Sequence, residues 1–448
     1  MNKNNNVFVA LSIFIFAGLL LLVPMNLTAQ QTTIEYGDCL QSSIDRSGEI
    51  DAYMFTGNKD DVITVQAGVS TGSLDPQVEV HDSNGLLKRA SGSSSARIDT
   101  LRLPGVGLFA IWVLDGYNGT LTGDYGLCLQ RISSGQGTVI TYGARVPDAL
   151  PVAGYMDAYT FVGNKNDVIT VQVGVVSGSL DPQVEAYAPN GSLLKKAEGS
   201  SSARIDTLRL PSDGVFTILV TDGYNGTLTG NYGLALQRTF NPGRATAMNY
   251  GTTVPDTIAV SGYIKAYAFP GRSEDVITVQ VGVSSGSLDP QVEVYAPDGF
   301  LFGKAMGSSS ARIVALKLPS TGLFTLLVLD GYNGTLTGEY SISLAGFTPV
   351  SVKEQPAIKL PLAFDLQQNY PNPFNAMTTI HYVLPKSTHV MVAVYDVLGQ
   401  KVAELVNEEK QAGVHHLQFN AGNLSNGIYF YRLQAAGHNE TRKLRILR

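Results

Sequence analysis

Apolar and polar residues alternate over short stretches of this chain, and no stretch carries a helical period with capping residues. Val78 and Val80, for example, alternate with Gln77 and Glu79. Such alternation predicts a β-strand with one buried side and one solvent-facing side, because successive side chains point to opposite faces of a sheet. Many short strands of this kind, each closed by a turn, predict an all-β protein built from sandwiches or jelly rolls.

Asn-Gly pairs stand between the predicted strands. One pair is Asn84-Gly85 and another is Asn118-Gly119. Both residue types tolerate positive φ, which the tight turns of β-hairpins require. Each pair is therefore predicted to connect two antiparallel strands of a hairpin.

Four blocks of sequence occur three times in the chain. One of them, Ser-Leu-Asp-Pro-Gln-Val-Glu, begins at Ser73 and returns at Ser179 and Ser287. A period of more than 100 residues is too long for a solenoid unit, so it indicates a whole domain used three times. The three predicted jelly-roll-like sandwich repeats are residues 32–131, 141–238 and 249–346.

The N-terminus has the pattern of a secretory signal peptide. Lys3 is the only charged residue before Glu35, residues 7–23 are almost entirely apolar, and a small residue, Ala29, follows Pro24. Residues 1–29 are therefore predicted to be removed after Ala29. The alternative is a short membrane anchor, since this stretch is at the lower edge of spanning length. No later segment is long and apolar enough to span a membrane, so we expect no transmembrane segment in the mature chain.

Composition excludes several classes of protein. Lys and Arg number 31 against 37 Asp and Glu, and hydrophobic residues make up 44% of the chain. This balance is not that of a basic nucleic-acid binder or of a disordered chain. With two cysteines, the chain is not a small disulfide framework either.

The two cysteines are predicted to form a disulfide. Cys39 lies near the first strand of repeat 1, and Cys128 lies in its last strand. Both matching positions lack cysteine in the other repeats, so the two residues are present or absent together. First and last strands of such sandwiches are commonly neighbours, and export to an oxidising compartment permits the bond. The alternative is two free buried thiols. The matching residues are Arg145 and Ala235 in repeat 2, and Thr253 and Ser343 in repeat 3.

Catalytic and cofactor motifs are absent from the repeats. His81 is the only histidine before the last module, and tyrosine replaces it at positions 187 and 295. A histidine-assisted nucleophile is therefore not available in every repeat, and neither zinc spacings nor a phosphate loop occurs. We expect no enzymatic activity and no cofactor, with calcium as the exception considered next.

Repeated aspartates suggest a calcium site. Asp75, Asp181 and Asp289 each precede a proline, and with loop carbonyls they could supply the oxygen ligands that Ca²⁺ prefers. The alternative is turn chemistry, because Asp before Pro caps a turn through its own hydrogen bonds. Ion-pair partners for the repeated acids are also available at Arg97, Arg204 and Arg312.

Three tyrosines stand beside the repeated Asn-Gly turn: Tyr117, Tyr224 and Tyr332. An exposed tyrosine suits sugar or peptide contact, because it offers an apolar face and a hydroxyl. They are therefore candidate ligand-binding residues. The alternative is ordinary cross-strand packing within a hairpin.

Three features of the repeats carry a family resemblance. They are the Leu-Asp-Pro-Gln-Val-Glu-Val strand that begins at Leu74, the Asn-Gly or Asp-Gly turn after it, and the closing segment with Tyr125-Gly126-Leu127. On these features the repeats resemble the pre-peptidase C-terminal (PPC) domain family over about residues 34–130, 141–237 and 250–345. The resemblance implies jelly-roll-like sandwiches that accompany secreted enzymes, some of which bind polymers or calcium.

The last part of the chain is a different module. Residues 347–363 read as a linker, and residues 364–448 alternate as strands of a small immunoglobulin-like sandwich. The module resembles the type IX secretion C-terminal sorting domain, type A, which implies passage through the outer membrane by that machinery, followed by surface attachment or release. The motif residues that carry the resemblance are Asn369, Tyr370, Pro371, Asn372, Pro373, Phe374, Asn375, Gly399, Gly427 and Tyr429.

Taken together, the sequence predicts a secreted, non-enzymatic modular protein found at the outer cell surface or outside the cell. Its expected partners are the type IX machinery and an extracellular polysaccharide or protein, bound at several linked sites that raise the apparent affinity. Two alternatives are a structural stalk or envelope component without a ligand, and an accessory subunit of a separately encoded secreted hydrolase.

Overall fold

The computed structural model describes residues 11–16, 19–24, 32–133, 135–348, 363–422 and 424–447. Every helix or strand assigned within these residues is a β-strand, which confirms the all-β prediction. The chain divides into two compact units, Met1–Pro349 and Val350–Arg448.

At the N-terminus, strands β1 (Leu11–Phe16) and β2 (Leu19–Pro24) pair antiparallel. The predicted cleavage point after Ala29 lies outside the described residues, so the signal peptide stays a prediction. Within the described part of the chain, no helix has the length and apolar character needed to cross a membrane.

Repeat 1 is a sandwich of a five-stranded sheet, here called the front sheet, and a four-stranded sheet, the back sheet. The front sheet has the order β3-β5-β10-β7-β8, with β3 (Thr32–Thr33), β5 (Ile50–Gly57), β7 (Pro76–Asp82), β8 (Gly85–Ser91) and β10 (Gly107–Asp115). The back sheet has the order β4-β11-β6-β9, with β4 (Cys39–Ile44), β6 (Val62–Gly72), β9 (Ser95–Arg102) and β11 (Gly123–Arg131).

Repeats 2 and 3 copy this topology strand for strand. The front sheet of repeat 2 contains β12 (Thr138–Val139), β14 (Met156–Gly163), β16 (Pro182–Tyr187), β17 (Leu193–Glu198) and β19 (Gly214–Asp222), and its back sheet contains β13 (Ala144–Leu150), β15 (Val168–Gly178), β18 (Ser202–Arg209) and β20 (Gly230–Arg238). The front sheet of repeat 3 contains β21 (Thr246–Ala247), β23 (Lys265–Gly271), β25 (Pro290–Tyr295), β26 (Leu301–Met306) and β28 (Gly322–Asp330), and its back sheet contains β22 (Thr252–Ile258), β24 (Val276–Gly286), β27 (Ser310–Lys317) and β29 (Gly338–Phe347).

The two sheets of each repeat enclose an apolar core with one polar link. In repeat 2, Tyr159 on the front sheet and Tyr232 on the back sheet meet hydroxyl to hydroxyl at 2.6 Å, and both are buried. Tyr232 also donates to Asp157, and burial of that carboxyl raises its pKa to about 7. Repeats 1 and 3 contain the same tyrosine contact, so the link between sheets is a property of the repeat.

The repeats stack face to face. Val62 and Cys128 on the back sheet of repeat 1 form an apolar cluster with Met156 and Leu219 on the front sheet of repeat 2. The next joint is built alike, with Ala235 of repeat 2 in one cluster with residues of repeat 3. Its other members are Ile264, Ala266, Tyr295, Leu327 and Leu329. Each joint is therefore a buried interface between two sheets, and the three repeats pack against one another as one body.

Stacking overturns one prediction from the alternating pattern. The residues that match Gln77 and Glu79 were expected on a solvent-facing side, yet β16 and β25 are buried along their whole length. The preceding repeat covers that side, and its arginine supplies a partner for the buried glutamate. Glu79 has no preceding repeat over it within the described residues, yet it too is buried, at 9% exposed, where it contacts Gln77 and His81. In repeats 2 and 3, the polar side of this strand is thus part of the interface with the preceding repeat.

Glycines at the joints allow the sheets to approach closely. A Cβ placed on Gly68 would overlap the backbone of Gly154 in repeat 2, and a Cβ on Gly174 would overlap that of Gly262 in repeat 3. Gly282, at the same position of repeat 3, has nothing within 4 Å. The stack therefore requires glycine at the two joints and not at the third copy of the position.

A second glycine position follows the same rule. A Cβ on Gly126 would overlap the carbonyl oxygen of Ala153 in repeat 2, and one on Gly233 would overlap that of Ser261 in repeat 3. Repeat 3 has Ser341 in this place. A further repeat placed as at the other two joints would therefore meet the Ser341 side chain at this position.

The C-terminal module is a smaller two-sheet sandwich. One sheet has the order β30-β31-β34, with β30 (Asp365–Leu366), β31 (Met377–Leu384) and β34 (Gly413–Asn420). The other has the order β33-β32-β35-β36, with β32 (Thr388–Tyr395), β33 (Lys401–Lys410), β35 (Gly427–Ala435) and β36 (His438–Ile446). Its core includes Leu366, Phe374 and Tyr431. Three strands facing four agree with the predicted immunoglobulin-like sandwich.

Candidate functional site

The three candidate tyrosines lie on loops that cross from the front sheet to the back sheet. Strand β10 pairs with β5 and β7, whereas β11, which follows the loop, pairs with β4 and β6. The prediction of a hairpin at Asn118-Gly119 is therefore wrong, because the strands on its two sides belong to different sheets. The Asn84-Gly85 hairpin is confirmed, since β7 pairs with β8. The crossing segments, residues 116–122, 223–229 and 331–337, are here called the tyrosine loops.

A buried aspartate fixes each tyrosine loop. Asp222 is 6% exposed, and its Oδ2 accepts hydrogen bonds from the backbone N–H groups of Thr227 at 2.9 Å and Leu228 at 3.1 Å. Asp115 and Asp330 make the same bonds. Burial raises the pKa of Asp115, but several backbone N–H donors outweigh it and hold that pKa below its usual range. The loops are thus held in one shape by charge-assisted bonds.

The tyrosine rings project from these fixed loops. Tyr117 is 65% exposed, Tyr224 60% and Tyr332 66%. The alternative reading, cross-strand packing within a hairpin, does not hold, because the loops are not hairpins and the rings face solvent. Their role in ligand binding is still a prediction.

The repeated aspartates before proline act through their backbones. The N–H of Asp181 donates to Asp222, and the carbonyl of Asp181 accepts from Gly223 at 2.6 Å. Asp75 and Asp289 make the same bonds. Within the described residues, no three His, Cys, Asp or Glu side chains lie close enough to hold a metal ion. The backbone bonds of these aspartates are those that turn chemistry predicts, and calcium binding by one aspartate with loop carbonyls stays a prediction.

A polar groove of about 370 Å³ lies at the joint between repeats 2 and 3. Repeat 2 contributes Ser200 and Arg204, and repeat 3 contributes Lys304, Tyr332 and Asn333. The exposed tyrosine is therefore one wall of a groove whose other wall belongs to the preceding repeat.

An ion pair crosses the base of this joint. Arg204 donates from Nη2 to the Glu293 carboxylate at 2.6 Å and from Nε to Asp206 at 2.6 Å. Tyr295 also donates to Glu293 at 2.7 Å. Burial raises the pKa of Glu293, but the Arg204 charge and these hydrogen bonds bring it below its usual range.

The joint between repeats 1 and 2 has the same construction. Arg97 donates to Glu185 at 2.6 Å, and the glycine of the tyrosine loop, Gly226, packs on Gln66 and Ser95 of repeat 1. The repeated arginines were predicted as partners of the repeated acids, and two of them pair with the following repeat. Arg312, the third, is exposed and forms no ion pair within the described residues.

The predicted disulfide between Cys39 and Cys128 is confirmed. The two residues lie directly opposite each other on strands β4 and β11, and no free cysteine remains. Cys128 is fully buried, and its sulfur lies 3.6 Å from the carbonyl oxygen of Met156 in repeat 2. The cross-link therefore lies inside the first joint.

His81 occupies a structural position at the front of repeat 1. Its ring stacks on Trp112 at 4.1 Å between centroids, and its Nε2 lies 2.8 Å from the Glu79 carboxylate. Tyr187 makes the equivalent contact with Glu185. The histidine thus fills an aromatic position that the other repeats give to tyrosine.

In the C-terminal module, the predicted motif residues attach the start of the module to its last strand. Asn369 is buried, and its backbone N–H donates to the Tyr431 hydroxyl at 2.7 Å. Asn372 accepts from the backbone N–H of Arg445, and Phe374 is buried and donates to the Arg445 carbonyl. The motif is therefore part of the fold of the module.

The other motif residues have surface or turn positions. Tyr370, Pro373 and Asn375 are exposed, Pro371 is half-buried, and cis peptide bonds precede both prolines. Gly399 takes a left-handed φ of 79° in a turn. Gly427 begins β35, and the Tyr429 hydroxyl donates to the Ser425 carbonyl at 3.1 Å.

Residues 368–447 match the family described as the secretion system C-terminal sorting domain. The C-terminal module belongs to this family. The sorting domain marks the protein as a secreted cargo of type IX secretion that is surface-attached or extracellular, and it implies an interaction with the secretion machinery. No curated protein matches the chain in sequence.

Several solved structures share parts of the chain's geometry at low identity. The pre-peptidase C-terminal domain of a Bacillus anthracis collagenase is 15% identical and covers 22% of this chain and 94% of its own, with a TM-score of 0.20. Aeromonas hydrophila PliG, a periplasmic inhibitor of g-type lysozyme, is 15% identical, with a TM-score of 0.17. The match covers 23% of this chain and 100% of PliG. A Faecalibacterium prausnitzii β-glucuronidase is 11% identical, with a TM-score of 0.15. The match covers 42% of this chain and 38% of the β-glucuronidase. Likeness at this level carries no argument about what the repeats do.

Proposed function

We propose that this exported protein is a non-catalytic binding protein that holds an extracellular polysaccharide or protein through its tyrosine loops. The observation that carries the proposal is the threefold presence of one exposed aromatic ring on one fixed loop. A loop that is already ordered loses little conformational entropy on binding, which favours contact through the ring face and the hydroxyl.

The stacked joints support a multivalent mode of binding. Because the repeats pack through buried sheet faces, the loops are carried on one body and do not move independently. Linked weak sites then raise the apparent affinity for a long ligand by an increased effective concentration. A stalk without a ligand would have no need of three exposed tyrosines. An accessory subunit of a secreted hydrolase would use the same loops to bind that enzyme's polymer.

The experiment is retention of the purified exported protein on insoluble polysaccharides, gelatin and producer cells. We expect that replacing Tyr117, Tyr224 and Tyr332 together with alanine abolishes retention. The matched control replaces three other exposed apolar residues of the repeats, which are 44%, 47% and 45% exposed and occupy one equivalent position. They are Leu86, Leu193 and Leu301.

The control variant should be retained as well as the wild type, and both variants should unfold at the wild-type temperature. Equal retention of the tyrosine variant and the wild type would contradict the proposal. Absence of wild-type retention on every surface would favour the stalk.

A further inference from the structure

The three tyrosine loops differ in what lies beside them. The loop of repeat 3 packs its Gly334 against Gln172 and Ser202 of repeat 2, and the loop of repeat 2 packs Gly226 against repeat 1 in the same way. The equivalent glycine of repeat 1, Gly119, contacts Ser47 and Gly48 of its own repeat and no described residue of another repeat. Tyr224 and Tyr332 therefore face a second wall, whereas Tyr117 has no preceding repeat within the described residues.

We propose that the binding sites are the two joint grooves, each built by two repeats, and that their ligand is a neutral polysaccharide. This inference rests on the proposed function and deepens it. The groove at the second joint has Tyr332 as its aromatic wall. We assign Tyr224 the same place at the first joint, because the ion pair and the glycine contact there are alike. Tyr117 is not part of a complete site.

The charges of the second groove favour a neutral ligand. Arg204 is already paired with Asp206 and Glu293, and Lys304 lies 3.9 Å from Glu293. No cationic side chain of this groove is left without a carboxylate, so an acidic polymer would have to break existing pairs. At the first joint, Arg97 is paired in the same way, with Asp99 and with Glu185 of repeat 2.

The remaining groups of the groove suit hydroxyl-rich rings. Ser200, Ser201 and Asn333 offer donors and acceptors of the kind that pair with sugar hydroxyls. The Tyr332 ring, which is mostly exposed, offers a flat apolar face on which a pyranose can lie. The groove is open and polar, and its volume of about 370 Å³ is at the lower end of the range for ligand sites. A segment of a longer sugar chain fits these properties.

The first test compares single tyrosines in the purified exported protein, with retention measured on cellulose, insoluble β-1,3-glucan and raw starch. We expect wild-type retention on at least one of these neutral glucans. Replacing Tyr224 and Tyr332 together with alanine should weaken the binding about tenfold or more, because each ring contact is lost together with the avidity of the pair. Tyr117→Ala should leave binding within about twofold of wild type.

The second test addresses the wall that the preceding repeat supplies. Ser200→Trp would fill the second groove from repeat 2 while the sequence of the tyrosine loop stays unchanged, and it should weaken binding. Ser308→Trp is the matched control, because Ser308 occupies the same position of repeat 3 and is exposed. We expect Ser308→Trp to bind as wild type. Both variants should unfold at the wild-type temperature.

The outcomes separate this inference from the proposed function. If Tyr117→Ala weakens binding as much as Tyr224→Ala does, or if the two tryptophan variants behave alike, each loop acts alone and the composite groove is wrong while binding stands. Retention on gelatin or pectate gel but on no neutral glucan would overturn the ligand class. Retention that is indifferent to all three tyrosines would overturn both proposals.

Discussion

Replacing Arg204 with alanine should lower the free energy of unfolding of the repeats by about 3–5 kcal/mol, the cost of leaving a buried charge without its partner. Glu293 is 2% exposed, and Arg204 donates to it directly at 2.6 Å. Lys304 is 3.9 Å away and cannot replace a direct hydrogen-bonded pair. Denaturant unfolding followed by fluorescence or circular dichroism measures the loss.

The matched control for this variant is Arg312→Ala. Arg312 is the same residue of repeat 3, but it is exposed and, within the described residues, no following repeat offers it a partner. Its replacement should change the free energy of unfolding by less than about 0.5 kcal/mol. Equal losses in the two variants would show that Arg204 does not support a buried glutamate at the joint.

The pH dependence gives the Arg204 prediction a second readout. Folding lowers the pKa of Glu293 in the wild type, so its contribution is present above the unfolded-state value of about 4.3 and is lost as the pH falls through the lower folded value. Without Arg204, we expect burial to outweigh the remaining Tyr295 hydrogen bond and Lys304 charge, so that the folded pKa of Glu293 rises above the unfolded one. The variant should therefore recover stability relative to the wild type as the pH falls from 7 to 5, when the buried carboxyl takes up a proton.

Removing the Cys39–Cys128 disulfide should destabilise repeat 1 by about 4–5 kcal/mol in the chain-entropy model, because it closes a long loop. The two residues are 89 positions apart. The change is Cys39→Ala with Cys128→Ala, and the measurement is denaturant unfolding of the exported protein. Thermal unfolding of the wild type with and without reductant should show the same loss once the bond is reduced.

A matched control for the disulfide exists in repeat 3. Thr253 and Ser343 lie opposite each other on β22 and β29, as the cysteines do in repeat 1, but they carry no cross-link. Replacing both with alanine should cost less than about 1 kcal/mol. Free thiols in the unreduced exported protein, or a cysteine variant as stable as wild type, would contradict the prediction.

Much of the fold could be predicted from the chain alone. The recurrence of the block around Asp75 at positions 181 and 289 predicts three copies of one domain. The alternation of apolar and polar residues within each copy predicts β-strands. The paired loss of Cys39 and Cys128 in the other copies gives the disulfide. These signals are reliable because they depend on local pattern and on comparison among copies of one unit.

The joints could not be predicted in the same way. Glu185 lies on a polar side of its strand, and nothing local distinguishes a polar side in water from one that meets Arg97 of another repeat. The tyrosine loop was misassigned for a related reason, because Asn118-Gly119 favours a tight turn whichever sheets the flanking strands join.

One signal in the sequence does point to the joints. Gly126 and Gly233 occupy equivalent positions in repeats 1 and 2, and another repeat follows each of these two. The matching residue of repeat 3, the last of the three, is Ser341. Because the neighbouring backbone lies directly against these glycines, a side chain is tolerated only where the stack ends. A comparison of the copies position by position, with attention to where the last copy departs, would have located the interface.

The repeats form one stack with close backbone contact at the joints, and the composite grooves exist only if they do. The most direct test compares Gly174→Ala with Gly282→Ala by denaturant unfolding of the exported protein. A Cβ on Gly174 would overlap backbone atoms of repeat 3, so we expect a loss of about 2–3 kcal/mol from overpacking. Gly282 has open space around it, so its variant should stay within about 0.5 kcal/mol of wild type. Equal and small changes in both would contradict the stack.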